Sequence, residues 1–196
     1  MAAVTLVPGD QSILAALPSF ASPEELQAFT KGKIKAAEPR VGPALEAVSA
    51  EIRREAGWHI WPLLKDHELV LDGSGGVVQH VPSLRLVGVK LASNAGTIVP
   101  PANIDVSQLG LLKIQGGQQW TSRYGQVRLI VDHGWEDAPE LRALCLSLTA
   151  RGLSSPMGAT REQAGSLSVN WSLSAGGILP NAQELATIRR YKTVEA

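Results

Sequence analysis

The residues of this sequence with the means to do chemistry are four histidines, one cysteine, a few clustered carboxylates and five tryptophans. His59, His67, His80 and His133 show none of the short spacings that zinc sites use, such as two imidazoles on successive turns of a helix. They fall in or beside segments with strand and turn character and read as structural. Asp132, Glu136 and Asp137 gather around His133, a spacing compatible with acid–base work. Asp137 has a simpler task as the cap of a following helix. Asp72-Gly73-Ser74-Gly75-Gly76 places a serine among glycines, but it lacks the G-x-S-x-G spacing and the following helix of a nucleophile elbow. A hairpin turn is the better reading. No glycine-rich segment has the strand–loop–helix setting of a phosphate cradle. Cys145, between Leu144 and Leu146, reads as a buried and inert thiol. Trp58, Trp61, Trp120, Trp135 and Trp171 could stack sugars, yet their scatter suits core and interface anchors better. The expectation is a protein with no catalytic residue, no cofactor and no metal: not an enzyme.

The bulk numbers point the same way. Lys plus Arg and Asp plus Glu are both 18 in 196 residues, a net charge of zero. Proteins that grip nucleic acid through its phosphates carry a basic excess, so tight DNA or RNA binding is not expected as the main task. Near-zero charge removes self-repulsion and mildly favours association. The start, MAAVTLVPGD, lacks the basic region and apolar run of a signal peptide, and no stretch suits a membrane span. A single cysteine fits a reducing cytoplasm.

The elements that must position these residues follow from capping and periodicity. Residues 1–21 read as an arm. Ser22-Pro23-Glu24-Glu25 is a helix start, with Leu26, Phe29 and Ile34 as its buried side. Lys31, Lys33 and Lys35 read as a solvated face. A second helix runs from about Pro43 to Ala56 on Leu45, Val48 and Ile52, with Gly57 as its C-terminal cap. From His67 to Trp135 the pattern is of about six short strands, interrupted by turns at residues 72–76 and 94–96. Pro139 then opens a helix with Leu141, Leu144, Cys145 and Leu148 on one face. Residues 166–172 alternate as a strand or extended arm. Pro180-Asn181 opens a last helix with Leu185 and Ile188 inward and Arg189, Arg190 and Lys192 at its end. The expected fold class is α+β. Residues 22–62 and 136–196 form a helical core with a C-terminal tail, and a small antiparallel β module is inserted at 66–135.

Several segments, taken in order, resemble one family. Arg53-Arg54-Glu55-Ala56-Gly57-Trp58-His59-Ile60 followed by Pro62 resembles the helix end in head-to-tail connector (adaptor) proteins of long-tailed phages infecting actinobacteria. Leu71 to Gly76 and Val81 to Leu84 look like the first hairpin of their β insert. His133-Gly134-Trp135 with Ala138-Pro139 is similar to their strand-to-helix junction. Ser155 to Gly158, Arg161 to Val169, and Leu179 to Lys192 resemble their loop, arm and last helix. Many relatives place a cysteine where this chain has Ala56. The resemblance implies a virion protein, made in the host cytoplasm, that forms a homo-oligomeric ring, usually dodecameric, beneath the portal protein. Such a ring would extend the DNA channel and join the capsid to the next neck or tail-completion protein, with DNA only as passing cargo and no membrane. On this reading Arg189, Arg190 and Tyr191 are candidate portal contacts. Arg161, Glu162, Gln163, Ser166 and Ser168 are candidates for subunit or lumen contact. Two alternatives stay open: another neck component such as a stopper, and a monomeric ligand- or sugar-binding β module.

Overall fold

The structure is a computed structural model that describes residues 17–154, 161–164, 167–170 and 180–193. The chain divides into two compact units. One is formed by residues 18–55 and 138–190; the other contains residues 56–137 together with residues 191–193.

In the first unit, helix α1 spans Pro23–Phe29. Ser22 and Glu25 form a reciprocal capping box: the Glu25 amide donates to the Ser22 hydroxyl and the Ser22 amide to the Glu25 carboxylate. The helix ends sooner than expected. Thr30 turns its hydroxyl onto the Leu26 carbonyl at 2.9 Å, and Lys31 and Gly32 both take positive φ. Phe29 is therefore exposed, and Ile34 reaches the interior from a loop rather than from the helix. Helix α2 spans Val41–Ala56 and buries Val41, Leu45, Val48 and Ile52 at helical spacing. Helix α3, Pro139–Ser154, buries Leu141, Leu144, Cys145 and Leu148, and also Leu146 and Thr149. Its apolar face is wider than the stripe read from spacing. Phe20 and Ala21, read as part of an arm, belong to this core. Arg53 is buried as well, its guanidinium 4.7 Å from the Phe20 ring centre and bonded to the Pro18 carbonyl at 2.7 Å. Burial pushes it down to about 10, against a smaller opposing effect of Cys145.

The second unit is built of β structure. Strands β1 (Leu64–Leu71), β2 (Val78–His80), β3 (Leu86–Asn94), β4 (Thr97–Val99), β5 (Ile104–Val106), β6 (Leu111–Ile114) and β7 (Val127–His133) form two antiparallel sheets, ordered β1-β7-β3-β4 and β2-β6-β5. Leu69, Leu71, Leu86, Leu112, Trp120, Val127, Leu129 and Val131 are among its core residues. Strand β4 had no sequence expectation, being three residues long beside Pro100-Pro101. Residues 72–76 do not close a hairpin, because β1 and β2 belong to different sheets. The segment crosses between them and lies against residues 120–125. Gly75 donates to Thr121 O, and the Gly76 carbonyl accepts from Trp120. A Cβ on Gly73 would run into the Thr121 carbonyl, so glycine is required there for close approach.

Beyond α3, strands β8 (Arg161–Ala164) and β9 (Leu167–Asn170) pair antiparallel, Arg161 opposite Asn170 and Ala164 opposite Leu167. Helix α4, Ala182–Arg189, starts from a second capping box, Asn181 with Glu184. Glu184 also accepts two 3.0 Å bonds from Arg151 of α3. The α+β class is as the sequence indicates.

Candidate functional site

Asp132 does not form a catalytic group with His133. Successive residues of a strand point to opposite faces, and β7 buries His133 while Asp132 turns the other way. Burial opposes charge on Asp132, but the Asp66 amide at 2.8 Å and Lys90 at 3.1 Å outweigh it and hold the carboxyl below its ordinary range. Lys90 bonds Asp66 as well, at 2.7 Å. This arrangement pins the β1–β7–β3 edge on the face away from His133. Cys145 is buried, with its sulfur 3.5 Å from the Ser49 hydroxyl, and burial pushes its thiol up, away from the reactive thiolate.

What His133 meets instead are His59 and His67. Its Nε2 lies 2.8 Å from His67 Nδ1, and those two rings stack at 14° with centres 5.1 Å apart. The His59 ring presses edge-on at 4.4 Å, and its Nε2–H donates to the Pro62 carbonyl at 3.0 Å. Period-two alternation could have flagged part of this. His133 continues the inward series Val127, Leu129, Val131, and His67 the series Leu71, Leu69. The sequence does not show that the two strands are neighbours, or that the 57–62 loop folds over them. Gly134 makes that loop possible. It has φ +106, and a Cβ would fall 2.5 Å from His59 Nε2 and 2.7 Å from Pro62 O.

Trp58 and Trp135 wall this cluster. Trp58 stacks on His133 with ring centres 6.4 Å apart and meets Trp135 at 5.4 Å. Trp120 is buried in the core, Trp61 bonds the Glu136 carbonyl, and Trp171 lies outside the described residues. Among the described residues no group of three or more His, Cys, Asp or Glu has the arrangement to hold a metal ion. No helix among them is long and apolar enough to cross a membrane.

The residues expected to make protein contacts are spread over the C-terminal region. Arg189 and Arg190 are exposed at the end of α4. Tyr191 is half-buried against its own chain: its carbonyl accepts from Trp58 Nε1 at 2.6 Å and its ring meets Trp135 edge-on at 5.4 Å. Arg161, Glu162 and Gln163 lie on β8 and Ser168 on β9, while Ser166 falls outside the described residues.

No protein-family model matches the chain, and no curated protein sequence does. Two solved structures share its fold from end to end. A chain in the neck of an empty gene transfer agent particle, computed with C6 symmetry, is 18% identical with a TM-score of 0.55, covering 100% of this chain and 96% of its own. A chain in the neck of a native particle, computed with C12 symmetry, is 14% identical with a TM-score of 0.54, covering 100% and 97%. At such identities the likeness is one of fold.

Proposed function

We propose that this protein is a structural neck subunit of a phage-like particle, a connector that assembles into a homo-oligomeric ring between the portal and the next neck or tail-completion protein. The observation that carries this reading is the full-length correspondence of fold with chains from particle necks of sixfold and twelvefold symmetry. A match over nearly the whole of both chains concerns the complete subunit rather than one common module. The ordered resemblance to phage connector proteins, read from the sequence alone, supports it independently. So does the chemistry: Asp132 is engaged in an ion pair with Lys90, and the buried histidines face one another. The exposed Arg189 and Arg190 are the proposed portal contacts, with the β8–β9 hairpin serving subunit or lumen contact.

The work of such a subunit is binding, symmetry and a smooth bore. A ring closes when each copy offers two different surfaces related by a rotation. A neutral chain suits a channel through which DNA passes without being held. The deciding experiment is electron microscopy of necks purified with a labelled copy of this subunit. A ring seated directly on the portal is the expected result. A monomer absent from the neck overturns the reading, and a ring one layer below the portal makes it a stopper.

A further inference from the structure

Three of the chain's four histidines are buried together, and the C-terminal segment is seated on the aromatic wall that encloses them. The His67–His133 bond holds one proton: one nitrogen donates and the other accepts. His133 Nδ1 has no hydrogen-bond partner among the described residues. Trp58 joins the cluster to the tail, since it stacks on His133, meets His59 edge-on at 5.3 Å and donates to the Tyr191 carbonyl. Trp135 packs on the Tyr191 ring, and the Thr193 amide donates to Ala56 O at 3.3 Å.

A further proton would create an imidazolium in this enclosed space. The titratable and charged groups carried by the segments that form or flank this space are His59 in the 57–62 loop, His67 on β1, Arg85 ahead of β3, Glu136 and Asp137 after β7, and Tyr191 and Lys192 in the tail. Arg85 turns its guanidinium to Gln108, and Asp66, Lys90 and Asp132 occupy the opposite face of the sheet. The influences on His133 are burial first, then His59 and His67, and all three disfavour its charged form. Protonation is therefore open to the His133 ring only when the wall around it opens. Acid selects the opened state.

We propose that the His59–His67–His133 cluster is a proton-sensitive seat for residues 191–193, holding the tail when its rings are neutral and releasing it on acidification. Any use of the released tail by a portal rests on the connector reading. The release itself is a property of the isolated subunit, so its failure would leave that reading standing.

The test is amide hydrogen exchange of the full-length protein at pH 7.5 and pH 5.0, corrected for intrinsic rates. The readout compares peptides covering residues 190–196 with peptides of α3. One imidazole that protonates only when open raises the opening equilibrium about thirtyfold between these pH values. The expected result is a loss of tail protection of at least that size, with the tail opening far more readily than α3 at both pH values. Equal tail protection at both pH values overturns the proposal, and so does a tail that at pH 5.0 opens only as often as α3, which would be global unfolding. In the His67→Phe/His133→Phe variant tail protection should lose most of its pH dependence. If that variant fails to fold, the wild-type comparison still decides.

Discussion

Gly134 has φ +106, a region where a side chain is strained, and a Cβ there would collide with both His59 and the Pro62 carbonyl. Strain and collision together predict that Gly134→Ala costs about 2–4 kcal/mol. Chemical denaturation checks this, and an unchanged midpoint would mean that the 57–62 loop packs elsewhere. At the neighbouring position the consequence is pH dependence. Burial, with His59 and His67, holds His133 down to about 2, far below its ordinary 6.5. The folded state then binds fewer protons than the unfolded one. The stability from His133 is fully present above about pH 6.5 and is lost as pH falls from there toward the folded value. Between pH 7.5 and pH 5.0 the loss should be about 2 kcal/mol from this residue. Denaturation midpoints across that range measure it, and a flat profile would show that the ring is accessible to water in the folded protein.

Elements are held by capping and by one-sided burial. Asn181 accepts from the amides of both Gln183 and Glu184, and Glu184 returns a bond to the Asn181 amide. Asn181→Ala should therefore cost about 1 kcal/mol, with α4 fraying first in exchange measurements. Leu144→Asp on α3 puts an unpaired carboxylate into a packed apolar face, and a loss of more than about 3 kcal/mol is expected. A wild-type melting temperature in that variant would show the face to be open. Helix α1 shows how far local signals reach. Its start was legible because Ser22, Pro23 and Glu25 act on backbone groups within one turn. Its end was not, because the apolar spacing of Leu26, Phe29 and Ile34 continues past Phe29 while Thr30 and Gly32 stop the helix.

For the whole molecule, the prediction concerns attachment. Arg189 and Arg190 are exposed, so reversing both charges should leave the melting temperature within about 1 °C of wild type. On the connector reading the same change weakens binding to portal-containing heads, and wild-type binding weakens with salt, since exposed charges are screened over about 8–10 Å. Co-sedimentation with tailless heads is the assay, and undiminished attachment would move the contact away from the end of α4. Tyr191 is a different case. Its carbonyl and ring are engaged by Trp58 and Trp135. Removing it disturbs the subunit itself, so a truncation at residue 189 would not isolate a partner contact.

The sequence by itself determined the local features: the starts of α1 and α4, the inward faces of α2 and α3, and the helical and alternating patterns that set the class of the fold. Each of these depends on residues within a few positions of one another, where backbone geometry alone decides who meets whom. Tertiary structure decided that residues 72–76 cross between sheets, that β4 exists, and that Arg53 is buried over Phe20. It also decided that His59, His67 and His133 share one enclosed space. His67 and His133 lie 66 positions apart. Nothing in the pattern of either strand names its neighbour, because period two specifies a face and leaves pairing to the packing of the whole sheet.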